Sequence, residues 1–142
     1  FNGDYYYLLI VTMICVSTDI GGYIFGKLFK GPKITKISPK KTYSGMIGSF
    51  LLSIIFINFL LSSSNLIKSI ILTKETFIFI LLVSAVSQIG DITISYFKRL
   101  SKIKDTGKIL PGHGGLLDRI DGMIFAFPFS YLVLSTDIFR LY

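Results

Sequence analysis

Long apolar runs alternate along this chain with short polar stretches rich in lysine. Four apolar segments stand out, at about Tyr5–Phe29, Gly45–Leu61, Phe77–Ile94 and Ile120–Leu134. A membrane-crossing helix needs about 20 predominantly apolar residues. The second and third segments meet that requirement plainly. The first is interrupted by Asp19, Gly21, Gly22 and Gly26, and the fourth begins inside Asp118-Arg119-Ile120-Asp121. Each of these can span only if it carries its polar residues at one end. The pattern predicts an all-α, polytopic integral membrane protein of about four transmembrane helices. Short cytoplasmic helices are expected around Ser95–Lys104 and near Thr42.

Composition sharpens this picture. Of 142 residues, 51% are hydrophobic and only 16% charged. That balance suits a bilayer and not a soluble core. The length suits a single membrane-embedded domain, 1–142. The first residue is Phe1, which reads as a chain lacking N-terminal transmembrane helices. The first apolar stretch has no basic region before it and no small-residue cleavage site after it, so it reads as a span and not a signal peptide. The one cysteine, Cys15, excludes an internal disulfide and a cysteine-rich zinc site.

Charge gives an orientation. Lys27, Lys30, Lys33, Lys36, Lys40 and Lys41 lie between the first two segments, and Lys98, Arg99, Lys102, Lys104, Lys108 and Arg119 between the last two. Only Lys68 and Lys74 separate the second from the third. The positive-inside rule places the two basic loops in the cytoplasm, facing anionic headgroups and cytosolic nucleotides. The same lysines also serve if they do no more than set topology. Nucleic acid is not an expected partner, because the basic loops are tethered to spans and lack interleaved stacking aromatics.

Four of the eight acids, Asp19, Asp91, Asp118 and Asp121, fall at the predicted cytoplasmic ends of spans. Carboxylates so near a bilayer are costly and call for a purpose. Asp118 and Asp121 share a face if helical, as do Asp91, Ser95 and Lys98. Two such faces meeting would form an oxygen-rich site suited to Mg²⁺, which takes one or two carboxylates and leaves the rest to phosphates and water. The plainer alternative pairs Asp118 with Arg119 or a lysine and uses Asp121 as a helix cap. Pro111-Gly112-His113-Gly114-Gly115 reads as a loop whose glycines let backbone N–H groups approach a phosphate. His113 serves there as a turn residue or a phosphate ligand. Without a second histidine or a nearby cysteine it does not suggest zinc. No nucleophile elbow and no P-loop pattern occurs.

Taken together, Ser95, Lys98-Arg99, Lys104-Asp105, Pro111 to Gly115 and Asp118-Arg119-Ile120-Asp121 resemble the signature of the phosphatidate cytidylyltransferases, the CDP-diacylglycerol synthases. Gln88-Ile89-Gly90-Asp91 is similar to the family's Q-x-G-D. Asp19 to Lys27 and Ser38-Pro39-Lys40-Lys41-Thr42 are similar to its upstream elements. Ser44-Gly45 departs from the acid and glycine usual after the second of these. The resemblance covers about Thr18–Leu134 and matches the C-terminal catalytic part of longer proteins.

The resemblance implies that CTP and phosphatidate give CDP-diacylglycerol and pyrophosphate with Mg²⁺, in phospholipid biosynthesis at a bacterial-type inner membrane. Asp91, Asp118 and Asp121 are then the expected metal ligands, with Asp105 and Asp19 as further candidates. Asp91, Asp118, Asp121, Lys98 and Arg99 are the expected catalytic residues. Ser95, Lys104, His113, Gly114, Gly115 and Arg119 would bind substrate, and Lys40 and Lys41 would close over it from the other basic loop. A homodimer is also implied, and Gly45, Gly48, Ser49 and Ser53 would permit close helix packing. Two other readings stand beside this one. One is a cytidylyltransferase for a different membrane lipid phosphate, of ether or isoprenoid type. The other is an inactive, truncated protein that still binds nucleotide or cation.

Overall fold

The computed structural model describes residues 2–35, 41–63, 74–103, 107 and 117–136, with the backbone alone for 2–4 and 117–119. Four helices follow in order: α1 (Asn2–Phe29), α2 (Tyr43–Ser63), α3 (Lys74–Leu100) and α4 (Leu117–Ser135). Among the described residues there is no strand, only an isolated antiparallel bridge between Lys33 and Thr42. Helices α1, α2 and α3 are long and apolar enough to cross a membrane; α4 has a shorter apolar part, Ile120–Ser135. These are the four segments anticipated from the apolar pattern, α1, α2 and α4 longer by three or four residues and α3 by nine.

The helix ends show why the segments stop where they do. α1 closes on Lys30, held at φ 44° with its N–H on the Gly26 carbonyl at 3.2 Å. α3 runs on through Ser95 to Leu100 and ends in a Schellman-type turn. There the N–H of Ile103 reaches the Lys98 carbonyl and that of Lys102 the Arg99 carbonyl, both at 3.0 Å, with Lys102 at φ 55°. Thr42 caps α2, its Oγ1 accepting the Gly45 N–H at 3.1 Å. Of the expected short helices, the described part of Ser95–Lys104 therefore continues α3 to its end, and Thr42 begins α2. Replacing Thr42 with Ala removes a cap worth about 1 kcal/mol. A lowered thermal midpoint of the purified protein in detergent is the expected result; an unchanged midpoint would show that the cap contributes nothing.

α1 packs along α2, and α3 along α4, with α1 touching all three others. The α1–α2 seam is made by glycines. A Cβ at Gly21 would lie 2.7 Å from the Gly48 carbonyl oxygen, and one at Gly45 2.7 Å from that of Gly22. Gly45, Gly48, Ser49 and Ser53 are all buried. The small-residue face of α2 that seemed available to a second copy is thus used within the chain, at least in part against α1.

The buried face of the bundle changes character along its length. At one end it is apolar, with Ile10, Val11 and Ile14 of α1, Ile57 and Leu61 of α2, and Phe79, Ile80 and Val83 of α3. Toward the ends joined to the basic loops it turns polar, with Ser17 and Thr18, Ser49 and Ser53, and Ser84 and Ser87. Buried hydroxyls need partners. Ser17 and Thr18 donate to the Ile14 carbonyl at 3.0 and 2.7 Å, Ser49 to the Thr18 carbonyl at 2.7 Å, and the Thr18 and Ser84 hydroxyls lie 2.9 Å apart. The first two bonds stay within α1; the last two tie α1 to α2 and α3 at the floor of a polar cleft.

Candidate active site

At the polar end of the bundle the helices part around a cleft of about 280 Å³. α1 contributes Thr18, Asp19, Gly22 and Tyr23; α2 contributes Gly45, Met46 and Ser49; α3 contributes Gln88, Asp91 and Ile92; α4 contributes Asp121. The segment between α1 and α2 adds Ile34, Lys41 and Thr42. That segment is held in place by its own hydrogen bonds. The Ile34 N–H meets the Lys41 carbonyl at 2.9 Å, the Tyr43 N–H meets the Pro32 carbonyl at 3.0 Å, and the Gly31 N–H meets Ser44 Oγ at 3.2 Å. Ser44, where the resemblance leads one to expect an acid, therefore braces this connection and is not among the cleft-lining residues.

Three carboxylates from three helices face the cleft. Those of Asp91 and Asp121 lie within hydrogen-bonding reach of each other. Asp19 is within electrostatic range of Asp91 and of Lys41. Lys41 forms an ion pair with Asp91, its side chain 23% exposed and that of Asp91 28%. Asp121 is itself buried, and its Oδ1 accepts the Gly122 N–H at 2.9 Å. Burial at this point depends on small neighbours. A Cβ at Gly122 would fall 2.5 Å from Ser87 Oγ, and one at Gly90 would fall 2.8 Å from a ring carbon of Phe125. Glycine at both positions lets α3 and α4 approach closely enough for their carboxylates to meet.

The residues anticipated from sequence divide clearly. Asp91, Asp121, Lys41 and Asp19 come together in the cleft. Lys98, two turns beyond Asp91, is close enough to attract Asp121. Ser95 is half-buried and Arg99 exposed, and neither lines the cleft. Asp118 and Arg119 belong to the first turn of α4, where only the backbone is described. Lys40, Lys104, Asp105, His113, Gly114 and Gly115 lie outside the described residues. Among the described residues no three His, Cys, Asp or Glu side chains gather as a metal cluster. Sequence reasoning gave no site role to Thr18, Gly22, Ser49 and Gln88, although it named Gln88 within the Q-x-G-D element and Ser49 as a packing residue. Gly22 and Gln88 lie one helical turn from Asp19 and Asp91 and Thr18 is next to Asp19, so helical spacing from an anticipated acid is the signal for two of the four.

A cleft that collects carboxylates and a lysine at one end of an apolar helical bundle defines a polytopic membrane protein with a polar site at its surface. The chain belongs to the cytidylyltransferase family, which it matches over residues 1–137. It is 40% identical over 127 residues to the phosphatidate cytidylyltransferase of Rickettsia typhi, covering 85% of this chain and 56% of that protein. The phosphatidate cytidylyltransferase of Haemophilus influenzae is 40% identical over 131 residues, covering 86% and 43%. That of Brucella suis is 40% identical over 120 residues, covering 82% and 42%. The chain thus spans about half the length of these curated relatives.

Proposed function

We propose that the chain carries the catalytic site of a phosphatidate cytidylyltransferase. It would transfer CMP from CTP to phosphatidate at the cytoplasmic face of a bacterial-type inner membrane. The observation that carries this reading is the meeting of Asp91 and Asp121 beside Lys41 in one cleft at the membrane-helix ends. Both substrates are anions, one confined to the bilayer and one to the cytosol. A polar cleft opening among apolar helices is where the two can meet.

The donor set fits a divalent cation. Two like charges on separate helices, at hydrogen-bonding reach, are mutually repulsive unless a proton or a cation lies between them. Mg²⁺ uses one or two carboxylates and completes its shell with phosphate and water oxygens. Asp91 and Asp121 would hold it, with Asp118 and Asp105 as further ligands from the neighbouring sequence. When bound, it would supply charge neutralisation at the reacting phosphates.

The reaction needs little from the protein beyond placement and charge. A phosphatidate oxygen forms a bond to the α-phosphorus of CTP. The bond from that phosphorus to the bridging oxygen breaks, and pyrophosphate leaves with the electron pair. The attacking phosphate is already ionised near pH 7, so no strong general base is required. Lys41 is poised to exchange its contact with Asp91 for a phosphate oxygen. Lys98, Arg99, Lys104 and Arg119 would hold the remaining phosphate charge, arginine with two parallel hydrogen bonds.

The test is formation of CDP-lipid and pyrophosphate from CTP and phosphatidate by the detergent-purified chain, with and without Mg²⁺. Metal-dependent product is expected. Folded protein that binds CTP yet forms no product under any metal condition would overturn the catalytic reading. Lys41→Met is expected to lower kcat/KM by roughly ten- to a hundredfold, about 1.4–2.7 kcal/mol, with Lys41→Arg recovering part of it. A lysine serving only as a structural brace would lower the thermal midpoint and leave KM for CTP unchanged.

A further inference from the structure

Gln88 lies on α3 one turn before Asp91 and lines the same cleft. Its amide nitrogen is buried and has no hydrogen-bond partner among the described residues. An amide donor withdrawn from water without an acceptor costs on the order of 1–3 kcal/mol. A residue carrying that cost in a cleft is explained if a ligand supplies the acceptor. The terminal torsion of a glutamine is soft, so a small rotation turns the N–H toward the cleft.

Depth along the helix indicates which acceptor. Asp91 sits at the level proposed for the reacting phosphates. Gln88, three residues back along α3 and away from its basic end at Lys98 and Arg99, lies about 4.5 Å deeper in the bundle. A phosphate-bearing lipid places its glycerol ester groups about that far below its phosphate, on the side of the acyl chains. On the proposed reading CTP arrives from the aqueous side, so its nucleoside would extend from the phosphates the other way. An ester carbonyl offers lone pairs and no proton, which complements an unpartnered N–H.

We infer that the Gln88 amide donates a hydrogen bond to an acyl ester carbonyl of the lipid substrate, and so makes the site prefer diacyl over dialkyl lipid phosphates. This rests on the cytidylyltransferase reading for the kind of lipid, but not on turnover. A dialkyl phosphatidate has the same phosphate and similar chains, and lacks only the carbonyl. With it bound, Gln88 would keep its unpartnered donor.

The experiment measures binding of short-chain diacyl phosphatidate and its dialkyl analogue to the detergent-purified chain by native mass spectrometry. It compares the unaltered protein with Gln88→Met and Gln88→Leu, and measures CTP affinity and CDP-lipid formation alongside. The expected diacyl preference is about three- to tenfold. It should fall to near unity in whichever variant folds, through weaker diacyl binding alone and with CTP affinity unchanged. An equal diacyl-to-dialkyl ratio in the unaltered and variant proteins overturns the inference. So does a variant that loses CTP affinity with the lipid ratio unmoved, which would assign Gln88 to the nucleotide. The two readings can fail separately. A preference abolished by Gln88→Met in a protein that makes no CDP-lipid upholds the ester contact and removes the catalytic reading. Product formed with equal use of both lipids does the reverse.

Discussion

Replacing either Asp91 or Asp121 with Asn is expected to reduce CDP-lipid formation by roughly 10²- to 10³-fold, about 3–4 kcal/mol of transition-state stabilisation. Each substitution keeps the shape of the side chain and removes one ionisable carboxyl from the pair at the cleft. The two variants should differ in stability. Asp121 lies buried against a second carboxylate, so Asp121→Asn relieves repulsion and leaves the Lys41–Asp91 ion pair in place. Its thermal midpoint should hold or rise while activity is lost. Asp91→Asn also deprives Lys41 of its partner and leaves a half-buried ammonium unpaired, so its midpoint should fall. In both, the Mg²⁺ concentration giving half-maximal residual activity should shift upward. Turnover within threefold of the unaltered protein for both variants would place the chemistry elsewhere. Loss of activity that tracks loss of stability would make the pair structural.

The membrane spans were legible because apolar length is a local property of sequence. The acids of the site were legible for the complementary reason, since Asp19, Asp91 and Asp121 stand out in apolar surroundings. The rest of the cleft was not. In a soluble helix the buried face is the apolar one. Here Leu51, Ile55 and Phe59 of α2 are exposed, while Gly45, Ser49 and Ser53 are buried. Lipid makes the outer face as apolar as the core, so periodicity alone does not say which side of α2 faces inward. Thr18, Ser49 and Gln88 gain their meaning only when three helices are brought together. Periodicity did set Asp91, Ser95 and Lys98 on one face of α3. It could not show that Ser95 stands apart from the cleft lining among the described residues, because how neighbouring helices pack is a long-range fact. The glycines of α1 and α2 were visible as interruptions, and their role as a packing seam becomes evident only in the contact between the two helices.

That seam gives the second large effect. Gly21→Leu is expected to abolish recovery of monodisperse protein in detergent, and Gly21→Ala to lower the thermal midpoint markedly. The first atom added at Gly21 meets the Gly48 carbonyl oxygen at 2.7 Å, Ser49 Cα at 2.9 Å and Leu52 Cβ at 3.0 Å. The first two are backbone atoms of α2, so no rotamer change relieves the clash. Only separation of α1 from α2 does so. Overpacking a close-packed interior costs 1–3 kcal/mol when side chains can adjust, and more when they cannot. Separation would also stretch the Ser49 hydroxyl away from the Thr18 carbonyl, now 2.7 Å distant, and open the wall of the cleft formed by Gly22 and Gly45. Gly26→Ala is the internal comparison. Its added carbon meets only the Thr42 hydroxyl closely, at 3.1 Å, where a side chain can give by a few tenths of an ångström. Alanine also favours the helix over glycine by up to about 1 kcal/mol, so Gly26→Ala should leave the midpoint nearly unchanged. If size-exclusion profiles and midpoints of Gly21→Ala and Gly26→Ala coincide, the helices are not held at glycine distance. If they separate as expected, the fit of two backbones sets the position of Asp19 relative to Lys41 at the start of α2, and the electrostatics of the cleft depend on it.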